Sequence, residues 1–177
     1  MPVSWNVAYS IKGHAFFLET GIEHGNLFEY NLGVSTLRAW SLQNTDYTPA
    51  TFWIPNPDNR FIGNHSAGSD SHGFWYDIGD DSPGSNVNNS DICAKGISLG
   101  DFNDNHTHSN GRYGLLILSG LIPRTYPCED AEEGGDANPS ITAHFNGFTS
   151  WKNKRVGAWI EEAGDVHFND FKMADNL

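Results

Sequence analysis

His14, Glu19 and Glu23 are the residues of this chain best placed to move protons. Hydrolysis of a glycosidic bond commonly uses two carboxyl groups about 5 to 10 Å apart, one as acid and one as base or nucleophile. Lyase chemistry instead needs a base near the sugar C5 and a group that neutralises the uronate. Glu19 directly follows the aromatic run Ala15-Phe16-Phe17-Leu18, and Glu23 sits beyond the next turn, so both carboxylates could open into one groove with His14 and His24 beside them. The alternative is that Glu19 and Glu23 make corner hydrogen bonds and His14 packs at an edge. Trp53, Trp75 and Trp159 offer a different chemistry, stacking of flat apolar rings on sugars.

Metal chemistry has thinner support. His106-x-His108 puts two imidazoles on one strand face, with His65 and His72 upstream and Asp70 or Asp104 as a third ligand, but two histidines at this spacing are weak evidence for a metal centre. Asp101-x-Asn103-x-Asn105 imitates a calcium loop, yet His106 stands where the sharp turn needs Gly and Arg112 where the bidentate Glu belongs. We expect no metal site and no cofactor beyond a loosely held surface calcium at Asp80, Asp81 or the acidic run from Glu129 to Glu133. Phosphate-binding loops, dinucleotide fingerprints and nucleophile elbows are absent from the sequence.

The elements that must position these residues are repeats. Five short runs recur in matched settings, Ala15-Phe16-Phe17-Leu18, Thr51-Phe52-Trp53-Ile54, Gly73-Phe74-Trp75-Tyr76, Gly114-Leu115-Leu116-Ile117 and Gly157-Ala158-Trp159-Ile160. A second series interleaves with them: Phe28 to Asn31, Phe61 to Asn64, Phe102 to Asn105, Phe145 to Phe148 and Phe168 to Phe171. Its starting residues are 33, 41, 43 and 23 apart. The shortest spacing fits one solenoid coil and the longer ones the same coil with a loop inserted. The runs are short, aromatic and broken by Gly, Asn, Asp and Ser, which is strand punctuation, and no long stretch has helical spacing. The pattern predicts an all-β fold, a parallel β-helix of about five coils with two alternating strand families and loops inserted, spanning residues 1–177 as one domain. Asn at its corners tolerates left-handed backbone and can bond the next coil. The competing architecture is a β-sandwich with Asn-Gly turns.

Side chains two apart share a strand face. Phe16, Phe52, Phe74, Leu115 and Ala158, with Leu18, Ile54, Tyr76, Ile117 and Ile160, form an apolar column that reads as the inside of the coil. Phe17, Trp53, Trp75, Leu116 and Trp159 occupy the opposite face, where solvent-facing strands are ordinarily polar. Either inserted loops or a neighbouring domain cover this face, as in strands buried on both sides, or it is an aromatic platform for sugar rings.

The chain has 177 residues and a net charge of −12 with a pI near 4.8. That balance argues against nucleic acid and anionic membranes as partners. Anionic polysaccharide would need a local basic groove, and Lys152, Lys154 and Arg155 are the only close basic cluster in the sequence. No apolar stretch is long enough to span a bilayer, and the N-terminus lacks the pattern of a signal peptide. Sequons at Asn64, Asn88 and Asn105 are compatible with secretion. Cys93 and Cys128 flank the coil holding Phe102 and Leu115; a disulfide would close a loop of 35 residues, worth about 3 to 4 kcal/mol on the chain-entropy account. Free thiols are the alternative.

The segments Gly13-His-Ala-Phe-Phe-Leu-Glu-Thr-Gly-Ile-Glu23, Tyr30-Asn-Leu-Gly33, Thr48-Pro-Ala-Thr-Phe-Trp-Ile-Pro-Asn-Pro57, Ala67-Gly-Ser and Gly73-Phe-Trp-Tyr76 resemble, in order and spacing, a known family. It is the parallel β-helix region shared by fibrocystin-L, the cell-migration-inducing hyaluronan-binding protein and the cell-surface hyaluronidase. Ile92-Cys-Ala94, Leu99-Gly-Asp-Phe102 and His108-Ser-Asn-Gly-Arg-Tyr-Gly-Leu115 resemble the fibrocystin-L branch most. The resemblance implies a right-handed β-helix from the ectodomain of a larger extracellular or membrane-tethered protein. Its open ends would be capped, continued by flanking sequence or joined to another copy. The expected role is recognition or structure, with a glycan or an extracellular protein as partner. The competing class is a depolymerase of hyaluronan-type glycans.

Overall fold

A computed structural model of the chain describes residues 1–40, 47–79, 92–118, 120–129 and 138–177. The strands stack in three parallel sheets. The first holds β1 (Pro2–Ser4), β4 (Leu27–Glu29), β7 (Arg60–Ile62), β10 (Phe102–Asn103), β13 (Ala143–Asn146) and β16 (Val166–Asn169). The second holds β2 (Val7–Tyr9), β5 (Leu32–Val34), β8 (His65–Ala67), β11 (His106–His108), β14 (Thr149–Trp151) and β17 (Lys172–Ala174). The third holds β3 (Phe16–Phe17), β6 (Ala50–Ile54), β9 (His72–Asp77), β12 (Leu115–Leu118) and β15 (Ala158–Ile160). This is a right-handed parallel β-helix of five three-stranded coils, with two strands of a sixth. Such crossovers take the right-handed sense because strands twist that way.

The aromatic series stack in the expected register. Phe28, Phe61, Phe102, Phe145 and Phe168 pair rung by rung, with Val3 beneath Phe28. Phe16, Phe52, Phe74, Leu115 and Ala158 do the same in the third sheet. Phe16, Phe52 and Phe74 stack nearly parallel at 4.8 and 4.6 Å between ring centres. Together with Phe28, Phe61, Phe102, Phe145 and Phe148 they form one apolar core along the axis, the dominant stabilising term by area.

The expectation of two strand families is corrected to three. The missed family is the second sheet, whose inward residues are Ala8, Gly33, Ser66, Thr107, Ser150 and Met173. Short strands with one small or hydroxyl-bearing inward residue carry no apolar signature. Their interior instead forms a hydroxyl network: Ser66 Oγ donates to Thr51 Oγ1 at 2.7 Å, and Asn110 Nδ2 to Thr107 Oγ1 at 2.6 Å.

Asn marks the corners through its side chain. Left-handed backbone falls on the residue before it, at Trp5, Tyr30, Gly63 and Asp104, with φ between 52° and 62°. Asn6, Asn31, Asn64 and Asn105 follow, and each amide bonds the next along the axis. Asn64 shows the pattern: its Nδ2 donates to Phe28 O at 2.8 Å and Asn105 Oδ1 at 3.1 Å, while its Oδ1 accepts from Asn31 N and Nδ2. Asn110, Asn153 and Asn176 form a like ladder at the next corner. The sequons at Asn64 and Asn105 are therefore structural. Both side chains are fully buried, and the nitrogen a glycan would occupy bonds Phe28 O in one and Phe61 O in the other. Asn88 lies outside the described residues, as do the acidic positions Asp80, Asp81, Glu132 and Glu133. Glu129 is exposed.

Cys93 and Cys128 are joined in a disulfide. It ties the short 3₁₀ turn at Ala94–Gly96 to the segment beyond the fourth coil.

Candidate functional site

The outer face of the third sheet carries the expected aromatic column, in register as Phe17, Trp53, Trp75, Leu116 and Trp159. Its cover is uneven. Trp53 is 9% exposed and Leu116 3%, whereas Phe17 is 51% and Trp159 42% exposed. Trp53 is enclosed partly by its own column, packing against Trp75 at 4.6 Å and Phe17 at 6.3 Å between ring centres. His14 adds to the cover at 4.5 Å.

At Trp75 the face opens into a cleft of about 240 Å³ lined by Thr48, His72, Trp75, Arg112, Tyr113, Leu116, Leu118, Trp159 and Glu161. Tyr113 lies between two rings, stacked on His72 at 5.4 Å and tilted against Trp159 at 5.9 Å. His72 also meets Trp75 edge-on at 4.8 Å. Arg155 lies over Tyr113 and donates from Nη1 to its hydroxyl at 3.3 Å. Glu161 accepts from Trp159 Nε1 at 2.8 Å, which fixes that ring's orientation.

His72, Arg112 and Tyr113 were not placed in this site by strand alternation. His72 shares its parity with inward Phe74, so simple alternation puts it inside. The sheet corner breaks the alternation: at Gly73 and at Gly114 an added Cβ would collide with Thr107 in the interior, so both positions face inward next to inward Phe74 and Leu115. The residues before them, His72 and Tyr113, emerge on the outside with Trp75. A Gly preceding an inward aromatic, itself preceded by His or Tyr, is the signal that could have found them.

The electrostatics follow from this packing. Burial, then the positive charge of Arg112, then His14 and Arg155, push the His72 imidazole down to about 3, so it is neutral at physiological pH. Two buried polar atoms here, His72 Nδ1 and Trp75 Nε1, have no hydrogen-bond partner among the described residues.

The carboxylates expected to do chemistry lie elsewhere. Glu23 holds its own turn, its carboxylate accepting from Thr20 N at 3.1 Å, Gly21 N at 3.0 Å and Thr20 Oγ1 at 3.1 Å. Glu19 is exposed beyond β3. His14 Nδ1 accepts from Ala50 N at 3.0 Å and its ring stacks with Phe17. The imidazoles of the second sheet gather on its outer face: His65 lies 5.6 Å from His106 and 5.1 Å from His108, and Trp151 stacks on His108 at 4.5 Å. Among the described residues no three acidic, Cys or His side chains are grouped to hold a metal.

A sequence model of the CEMIP β-helix matches residues 1–115. The chain belongs to the CEMIP β-helix family. Fibrocystin-L of Mus musculus is 39% identical over 175 residues, which are 98% of this chain and 4% of that protein. The cell surface hyaluronidase of Danio rerio is 33% identical over 201 residues, covering 90% of this chain and 14% of the relative. The cell migration-inducing and hyaluronan-binding protein of Homo sapiens is 30% identical over 221 residues, with 96% and 15% covered. This CEMIP β-helix thus spans a small fraction of each relative's length. The matched stretch includes His14, Trp53, His72, Trp75, Arg112 and Tyr113; Trp159 and Glu161 lie in the following coil.

Proposed function

We propose that this β-helix is an extracellular recognition module of a larger fibrocystin-L-like surface protein, and that it binds a glycan chain in the cleft at Trp75, Tyr113 and Trp159. The observation that carries the reading is the cleft itself. An edge-on His–Trp pair, a Tyr stacked against it and a half-exposed Trp at the rim line a single concavity. Few convergent polar groups among aromatic walls are the usual make-up of a small-molecule or sugar site. Trp53 backs the cleft through its edge-on contact with Trp75. An extracellular setting is supported by the disulfide and by relatives named for the cell surface and for hyaluronan. Among the described residues no helix is long and apolar enough to cross a membrane.

The test is a tryptophan-fluorescence titration with size-defined hyaluronan and chondroitin oligosaccharides. Trp159→Ala and Tyr113→Ala should each weaken binding about tenfold, the scale of one lost stacking contact. Binding that both variants leave unchanged would remove the cleft from the reading. A depolymerase asks instead for converging carboxylates. In that case the wild-type chain would shorten hyaluronan on a gel, Glu19→Gln or Glu23→Gln would stop it, and new ultraviolet absorbance would mark a lyase.

A further inference from the structure

The cleft combines a feature that proteins ordinarily avoid with a positive side chain, Arg112, in a chain whose net charge is −12. His72 is 2% exposed, and its Nδ1, together with the indole Nε1 of Trp75, is buried without a hydrogen-bond partner among the described residues. Leaving a buried polar atom unsatisfied is costly and rare in native folds. Here two such atoms belong to touching rings of one cleft. An indole N–H can only donate, so the partner it lacks is an acceptor; the neutral imidazole donates from Nδ1 in one of its tautomers.

The charge points the same way. The chain carries −12 overall, yet Arg112 lines this cleft and both Arg112 and Arg155 act on His72. Arg155 is engaged with the Tyr113 hydroxyl, whereas Arg112 has a fork of donors suited to a planar anion. Glu161 is the opposing charge. It is hydrogen-bonded to Trp159, and Tyr113 stands between Trp159 and His72. The acceptor-seeking end of the cleft is therefore the His72, Trp75 and Arg112 end.

We propose that this end binds an anionic oxygen group on the ligand, a carboxylate or a sulfate ester, through Arg112 with hydrogen bonds from Trp75 Nε1 and His72 Nδ1. The inference rests on the glycan reading above and deepens it: aromatic stacking holds the sugar, and the anion subsite selects acidic sugars over neutral ones. It also explains how an acidic protein takes an acidic ligand, since the attraction is local and sits in a partly desolvated site.

The experiment is calorimetric titration of the folded chain at neutral pH with four octasaccharides: hyaluronan, carboxyl-reduced hyaluronan, chondroitin 4-sulfate and carboxyl-reduced chondroitin 4-sulfate. These carry carboxylate only, no charge, both groups and sulfate only. At least one charged probe should bind about tenfold tighter than uncharged hyaluronan, and comparing the carboxylate-only with the sulfate-only probe names the source. Arg112→Gln should erase the preference, bringing the charged probes down to the affinity that the same variant has for the uncharged one. Trp75→Phe, which keeps a ring and removes the N–H, should reduce the preference independently. Equal binding of charged and uncharged probes, or a preference untouched by Arg112→Gln, would overturn the anion subsite and leave the glycan reading standing. Binding of none of the four would overturn both.

Discussion

Asn64 and His72 are buried alike, at 0% and 2% exposure, and their polar atoms meet opposite fates. The Asn64 amide bonds Asn31, Asn105 and the Phe28 carbonyl; His72 Nδ1 bonds nothing among the described residues. The corner ladder is closed on itself, and each amide is satisfied by the coils above and below. The cleft is buried by aromatic rings that cannot supply the missing acceptors. Equal burial with unequal satisfaction sets the corner ladder, which is closed on itself, apart from the cleft, where two buried ring nitrogens have no partner among the described residues.

The sharpest way to break that contrast is to cut the ladder. Asn64→Ala removes four hydrogen bonds and strands the Phe28 carbonyl and the Asn31 amide in the interior; the expected loss is about 3 to 5 kcal/mol in urea unfolding. A loss under about 1 kcal/mol would mean that the ladder is not what holds the corner. Removal of the disulfide by Cys93→Ser with Cys128→Ser should cost about 2 to 4 kcal/mol, and it acts on an inserted segment rather than on the coils. The midpoint should fall without losing the β-sheet circular-dichroism signal.

Titration sharpens the same comparison. His72 has its folded proton affinity depressed from 6.5 to about 3, so below pH 6.5 the unfolded chain takes up a proton that the folded chain refuses. Stability is therefore full above pH 6.5 and declines as pH falls toward 3. The His72 share of the loss reaches about 2 kcal/mol by pH 5, and the pH profile of His72→Gln should be shallower by that amount, keeping the decline that comes from the likewise depressed His65. The smallest effect is the most diagnostic. His72→Phe replaces an unsatisfied imidazole with an apolar ring and should leave stability unchanged or raise it by about 1 kcal/mol, while ligand affinity falls. A site retained for structure would show the reverse.

Much of this was readable along the chain, for a physical reason. Large inward side chains one coil apart must stack, so Phe28, Phe61 and Phe102 announce their register, and Phe52 with Trp53 announces which face is which. The amide ladder was readable as recurring Asn, although the left-handed residue proved to be its predecessor: Asn keeps its side chain for the ladder while Tyr30 or Gly63 takes the turn. The second sheet was not readable, because Ser66, Thr107 and Ser150 fill the interior with hydroxyls that look like loop residues. Glu19 and Glu23 illustrate the opposite difficulty. Two carboxylates close in sequence suggest a pair, yet Glu23 belongs to its own turn.

The sequence by itself determined the repeat, the parallel stacking of aromatic rungs and the identity of the inward column, because those depend on period and side-chain size alone. Tertiary structure decided which residues share the cleft. His72, Arg112, Tyr113, Trp159 and Glu161 come from three successive coils, and the bend at Gly73 and Gly114 turns the first and third of them outward against the strand alternation. Period predicts a face only while the strand is straight; where the coil turns a corner, the backbone geometry chooses the side.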